Sequence, residues 1–179
     1  MRKVVCLLLI TLLGAANLPA ATLAGVTLPD SAKVGDQTLV LNGMGFLSKN
    51  GITEYVAGLY LAQKSNNAEA IIEADAPKRI VAHFTRWVDQ KKLKKDIGGG
   101  FDVTARATLK TQIDQFISGL ESLNGEEMAV TYLPGTGTTL TVKGKDKLTI
   151  PGLPFGQAVF VLWLGENSPS SLKKGILGQ

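Results

Sequence analysis

The stretch from Met128 to Gly165 constrains the fold of this 179-residue chain more than any other. It spells M-A-V-T-Y-L, P-G-T-G, T-T-L-T-V, G-K-D-K, L-T-I, P-G, then L-P-F-G-Q-A-V-F-V-L-W-L-G. Pro134 to Gly137 has β-turn chemistry, because Pro pre-sets φ and Gly supplies a positive φ. Thr138, Leu140 and Val142 alternate with Thr139, Thr141 and Lys143, the period of a half-buried strand. The spacing therefore predicts three antiparallel strands joined by tight turns. A helix rich in Phe and Trp, Phe155–Leu164, follows them. Its only charge, Glu166, lies just past its end, so the helix must be covered, most simply by a sheet.

Upstream, Gln37–Phe46 and Thr53–Ala62 read as strands, and Lys49-Asn50-Gly51 marks the hairpin turn between them. Asn66 and Asn67 are caps for a short helix through Ala74, and Pro77 breaks it. Arg79–Phe84 reads as a strand. Asp89 caps a short basic helix, Q-K-K-L-K-K, with Gly98-Gly99-Gly100 as its stop. From Asp102 to Leu123 the apolar residues Val103, Ala107, Ile113, Phe116, Ile117, Leu120 and Leu123 recur at three- and four-residue steps, which predicts one long amphipathic helix. A last helix starts near Ser168 or Ser170. Strands on both sides of a long helix, with no internal repeat and no linker, predict one α+β domain: an antiparallel sheet with helices on one face.

At the N-terminus, Arg2 and Lys3 precede the apolar run Val4–Leu13, and small residues follow up to Thr22-Leu23-Ala24. This is the pattern of a secretory signal peptide, too short for a membrane span. Residues 1–24 are expected to be removed and the domain to begin at Gly25, in the periplasm. The one cysteine, Cys6, lies inside the apolar run, so the exported chain carries no disulfide. Without Arg2 and Lys3, 17 basic residues face 15 acidic ones, and a balance of about +2 leaves no nucleic-acid footprint.

The chemistry-bearing residue types are sparse. His83 is the only histidine and sits in an alternating strand, I-V-A-H-F-T-R, without the partners a nucleophilic triad requires. The carboxylates are scattered, so no metal site is expected. P-G-T-G-T lacks the Gly-Lys-Ser/Thr ending and the helix of a phosphate loop, and reads as a hairpin turn. Lys91–Lys95 reads as a solvated helix face, with contact to acidic lipid headgroups as the alternative.

Several short segments recur in a recognisable order: L-N-G-M-G with Gly43 and Gly45, Y-V-A-G-L-Y-L from Tyr55, P-K-R-I-V-A-H-F-T-R from Pro77, P-G-T-G-T from Pro134, I-P-G from Ile150, A-V-F-V-L-W-L-G from Ala158, and L-K-K-G-I-L-G from Leu172. This ordered set resembles the chalcone isomerase-like family, in its bacterial exported branch. The resemblance implies an open-faced β-sandwich whose ligand cleft lies between the sheet and a helical layer. In catalytic and fatty-acid-binding relatives an arginine follows the G-x-G element and points into that cleft; here Leu47 stands at that position. Tyr55 matches a cleft position of relatives, Arg86 falls near a basic cleft-lining position, and Lys49, two residues after Leu47, shares its strand face. These four are the expected ligand-binding residues, with no catalytic residue, metal or cofactor. The implied function is periplasmic, non-enzymatic binding of a fatty acid or similar apolar ligand. The alternatives are an isomerase or lyase acting on an unsaturated carbonyl compound, and a protein-binding accessory domain without a ligand.

Overall fold

Alternating apolar residues and tight turns produce a meander. A computed structural model describes residues 20–179; residues 1–19, with most of the expected signal peptide, lie outside the described part. Seven strands form one sheet in sequence order: β3 (Ser31–Val34), β4 (Gln37–Lys49), β5 (Ile52–Leu61), β6 (Lys78–Phe84), β7 (Glu127–Leu133), β8 (Gly137–Val142) and β9 (Lys145–Ile150). Every neighbouring pair is antiparallel. The β4–β5 turn works because Asn50 and Gly51 both take positive φ, the geometry that matches strand twist.

The two faces of the sheet are covered differently. Ala57, Leu59, Ile80, Ala82, Phe84, Met128 and Val130 face the helices and form the larger core. Val56, Tyr60, Val81 and Ala129 face the opposite way. They are roofed by a separate hairpin, β1 (Ala20–Leu23) and β2 (Val26–Pro29). The Tyr60 hydroxyl donates to the Pro29 carbonyl at 2.9 Å and ties this hairpin down. Strand β1 thus lies on the N-terminal side of the expected Gly25 boundary, and a cut between Ala24 and Gly25 would remove it.

The helical layer comprises α1 (Ala68–Glu73), α2 (Gln90–Gly100), α3 (Val103–Thr108), α4 (Lys110–Ser118), α5 (Leu153–Leu164) and α6 (Ser170–Ile176). The expected caps are used: Asn67 accepts from the Ala70 N–H, and Asp89 from those of Lys91 and Lys92. α5 is buried on most sides through Phe155, Val159, Phe160 and Trp163, as its composition requires. Two expectations need correction. The single helix over Asp102–Leu123 is two, broken at Leu109, whose backbone leaves helical geometry at φ −119°, ψ 22°. Thr104 and Thr108 supply the physical reason. β-Branched residues weaken the turn, and the Thr108 hydroxyl donates back to the Thr104 carbonyl. Gly98-Gly99-Gly100 does not stop α2 but forms its last turn, and Phe101 is the cap. A Cβ on Gly100 would lie 2.8 Å from the Leu162 methyl, so the missing side chains let α2 come down on α5.

The G-x-G element of β4 has a packing role. A Cβ on Gly43 or Gly45 would fall on backbone carbonyls of α6, and one on Gly175 would fall on the Met44 carbonyl. Strand and helix therefore meet backbone to backbone. Asn42 fixes this seat: its amide donates to the carbonyls of Ile176 and Ser65, and its oxygen accepts from the Ser65 N–H.

Candidate functional site

Between the sheet and α2 and α5 lies a cavity of about 390 Å³, within the range of small-molecule pockets. Its floor is Leu47, Tyr55, Ala82, Phe84 and Met128, drawn from four adjacent strands. These side chains share one face because residues two apart on a strand, and direct cross-strand partners, point the same way. Leu47 and Tyr55 are such partners. The roof comes from Leu93 and Ile97, four apart on α2, and from Leu162 and Trp163 on α5.

The polar groups gather at one end. A register shift between Leu47 and Ser48 leaves Glu54 without a partner on β4, and this bulge turns its carboxylate toward the opening. There it meets Lys49 at 3.8 Å and Lys92 at 3.3 Å. Asp96, one helical turn after Lys92, meets Lys92 at 2.9 Å and Lys49 at 3.7 Å. Two lysines and two carboxylates thus close a ring at the mouth. The Asp96 hydrogen bond raises the Lys92 pKa against the effect of burial, with further help from the charge of Glu54. Burial works against the Asp96 carboxylate, but the bond and charge of Lys92, joined by Lys49, outweigh it and lower its pKa.

Tyr55 is the one polar side chain on the floor. Its ring leans on Phe84 with centroids 5.2 Å apart. Burial pushes its phenol above the ordinary tyrosine value, the Trp163 indole opposes this, and Glu54 adds to it. The hydroxyl is therefore a neutral donor at physiological pH, able to bind a carbonyl or carboxylate oxygen.

Of the four expected ligand-binding residues, Leu47, Lys49 and Tyr55 line this cavity. Arg86 does not. β6 ends at Phe84, and Thr85 turns aside to bond the carbonyls of Thr53 and Glu54, which leaves Arg86 exposed outside the cleft wall. The roof and three of the four ring residues, Glu54, Lys92 and Asp96, are absent from the sequence-based expectation. Their signals were Leu93 and Ile97 at one-turn spacing in an otherwise charged helix, and Lys92 followed four residues later by Asp96. His83 stands on the far face of the sheet, 3.6 Å from Glu127.

Lys78, the one buried charge among the described residues, also lies outside the cleft. Its ammonium donates to the carbonyls of Ile71, Ile72 and Ala74 and so caps α1, while the rings of Tyr132 and Phe160 face it. Burial pushes its pKa down to about 8, opposed by the charge of Asp75. With three acceptors already engaged, it is a structural cation. Among the described residues, no group of three or more side chains could hold a metal ion, and no helix is long and apolar enough to cross a membrane.

No curated protein matches the chain. Among solved structures, a fatty-acid binding protein of Arabidopsis thaliana has the same fold, with a TM-score of 0.67 and 16% identity. That likeness covers 89% of this chain and 96% of the plant protein. A family model described as chalcone isomerase-like matches residues 20–178, nearly the whole described chain. The chain belongs to the chalcone isomerase-like family.

Proposed function

We propose that the protein binds a fatty acid or a similar single-chain amphiphile in the cleft between sheet and helices, without chemistry. One observation carries this reading: an apolar cavity of about 390 Å³ whose charged groups stand only at its mouth. An acyl chain suits such walls, because burying each methylene is worth about 0.8 kcal/mol. Tyr55, a neutral donor on the floor, suits an oxygen-bearing head. The fold-mate described as a fatty-acid binding protein supports the same ligand class.

An isomerase or lyase is the less favoured reading. Closing a phenolate onto an enone needs the phenolate held and the developing enolate stabilised. Leu47 supplies neither, and the lysines that line the cleft are already paired with carboxylates. Native mass spectrometry of the protein purified from its own host tests the binding reading. A co-purifying long-chain acid or amphiphile is the expected result, and Tyr55→Phe should weaken its retention several-fold. Stereoselective chalcone ring closure well above the spontaneous rate would overturn the non-enzymatic reading.

Export to the periplasm is part of this proposal. Because β1 belongs to the folded unit, processing should fall before its pairing residues rather than at Gly25. N-terminal sequencing of exported protein should read from a residue no later than Ala20. A start at Gly25 would mean that the native protein lacks β1.

A further inference from the structure

Three large apolar side chains are exposed among the described residues, and two of them adjoin residues that line the cleft. Ile52, 52% exposed, is the cross-strand partner of Lys49, which lines the opening. Trp87, 62% exposed, immediately precedes Val88, which also lines the cavity. The third, Val103, begins α3, beyond the far end of α2.

The same rim is basic. From Arg86 to Asp96 five cations face two carboxylates, a net charge of +3, whereas the remaining described residues together carry −1. Lys92 is held within the ionic ring. Arg86, Lys91, Lys94 and Lys95 form no ion pair among the described residues; Lys94 is half-buried and the other three are exposed. Lys91, Lys94 and Lys95 lie three and four apart, hence on one side of α2, away from Leu93 and Ile97.

We propose that this rim, Ile52 and Trp87 together with the lysines of α2, docks on the surface of an anionic phospholipid bilayer. A tryptophan and an aliphatic side chain suit the headgroup layer, where amphipathic rings accumulate. Unpaired lysines near an anionic surface contribute about fivefold each to binding. Four lysines alone make a soluble face. Lysines beside two exposed apolar anchors make an interfacial one. The docking does not rest on the ligand reading above.

The test uses the full exported chain and vesicles of phosphatidylcholine with or without phosphatidylglycerol. Flotation should show binding to the anionic vesicles, little to the neutral ones, and release by salt. Trp87 emission should shift to the blue on binding. Replacing Lys91, Lys94 and Lys95 together by Gln should weaken binding about hundredfold. Trp87→Ala with Ile52→Ser should weaken it about tenfold or more. All five sites are outside the core, so melting temperatures should stay near wild type. Failure of the wild type to bind anionic vesicles overturns the proposal. So does equal binding to neutral vesicles. Loss of binding in the lysine variant with none in the apolar variant would identify a site for soluble polyanions instead, and would also overturn it. Fatty-acid titration without vesicles reads the cleft separately, so the two proposals can fail independently.

Discussion

Strand β4 carries two helices on the same face of the sheet and treats them in opposite ways. Near its middle, Gly43 and Gly45 let α6 descend until backbone touches backbone. At its hairpin end, Leu47 and Lys49 hold α2 away, and the gap between them is the cleft. The first contact is made of atoms without charge or freedom. The second is a bridge of four ions over an apolar hollow. One strand thus combines a close-packed anchor with an open cleft. Small residues remove space, whereas large apolar residues bridged by ion pairs preserve it.

The sharpest way to break this comparison is to add atoms on each side. Gly45→Ala places one methyl on the Leu172 carbonyl, where α6 has no room to yield without leaving its seat. The expected loss is about 3 kcal/mol or more, in the upper range for overpacking. Denaturant unfolding measures it. If Gly45→Ala melts like the wild type, the close approach of α6 is not a structural requirement.

Leu47→Arg tests the other end. A correctly placed guanidinium adds a charge-assisted hydrogen bond of roughly 1.5–3 kcal/mol, so affinity for long-chain fatty acids should rise about tenfold or more. Without ligand, the same cation lies unpaired beside Tyr55 and should lower the melting temperature. Added fatty acid should restore it. Calorimetric titration and thermal melts decide the matter, and an unchanged affinity and melting point would mean that Leu47 does not face a ligand.

Much of this architecture is legible in the sequence, and the gaps have physical causes. The Pro134–Gly137 turn, the Asn67 and Asp89 caps and the Phe155–Leu164 helix depend on local chemistry, and the structure has them. The four-residue strands β1, β2 and β3 carry too short a pattern to separate from turns. The break at Leu109 lacks Gly or Pro, and the apolar period runs straight through it. In the site, Leu47 and Tyr55 follow from the family resemblance and Lys49 from strand parity with Leu47, whereas Arg86, also placed by resemblance, lies two residues past the end of β6, where strand alternation no longer sets a side chain's direction. The roof depends on how α2 and α5 meet over the sheet, which no local pattern encodes. The G-x-G element was visible as a motif, but its partner Gly175 lies 130 residues from Gly45 in sequence.

Ala82→Leu sharpens the contrast with Gly45. Ala82 lies on the cleft floor, so the added carbons should enter empty volume and leave stability within about 1 kcal/mol of wild type. Ligand affinity should fall about tenfold as the side chain takes the acyl chain's place. Destabilisation by 1–3 kcal/mol instead would mean that the cleft closes when empty.

The smallest expected effect separates ionic closure at the mouth from simple packing. The Asp96 pKa lies below its ordinary 3.8 in the folded chain. Its contribution is therefore present above about pH 4 and is lost as pH falls through the lower folded value. Asp96 is 44% exposed, so solvent screens the pair and the contribution is only a few tenths of a kcal/mol. Asp96→Asn should melt about 1 °C below wild type at pH 7. The difference should vanish when both proteins are melted well below pH 3.8. The α6 seat, made by backbone and glycine, should give Gly45→Ala the same deficit at both pH values. A difference at Asp96 that survives acid would show that the carboxylate acts by shape rather than charge, and the mouth would then be as fixed as the seat.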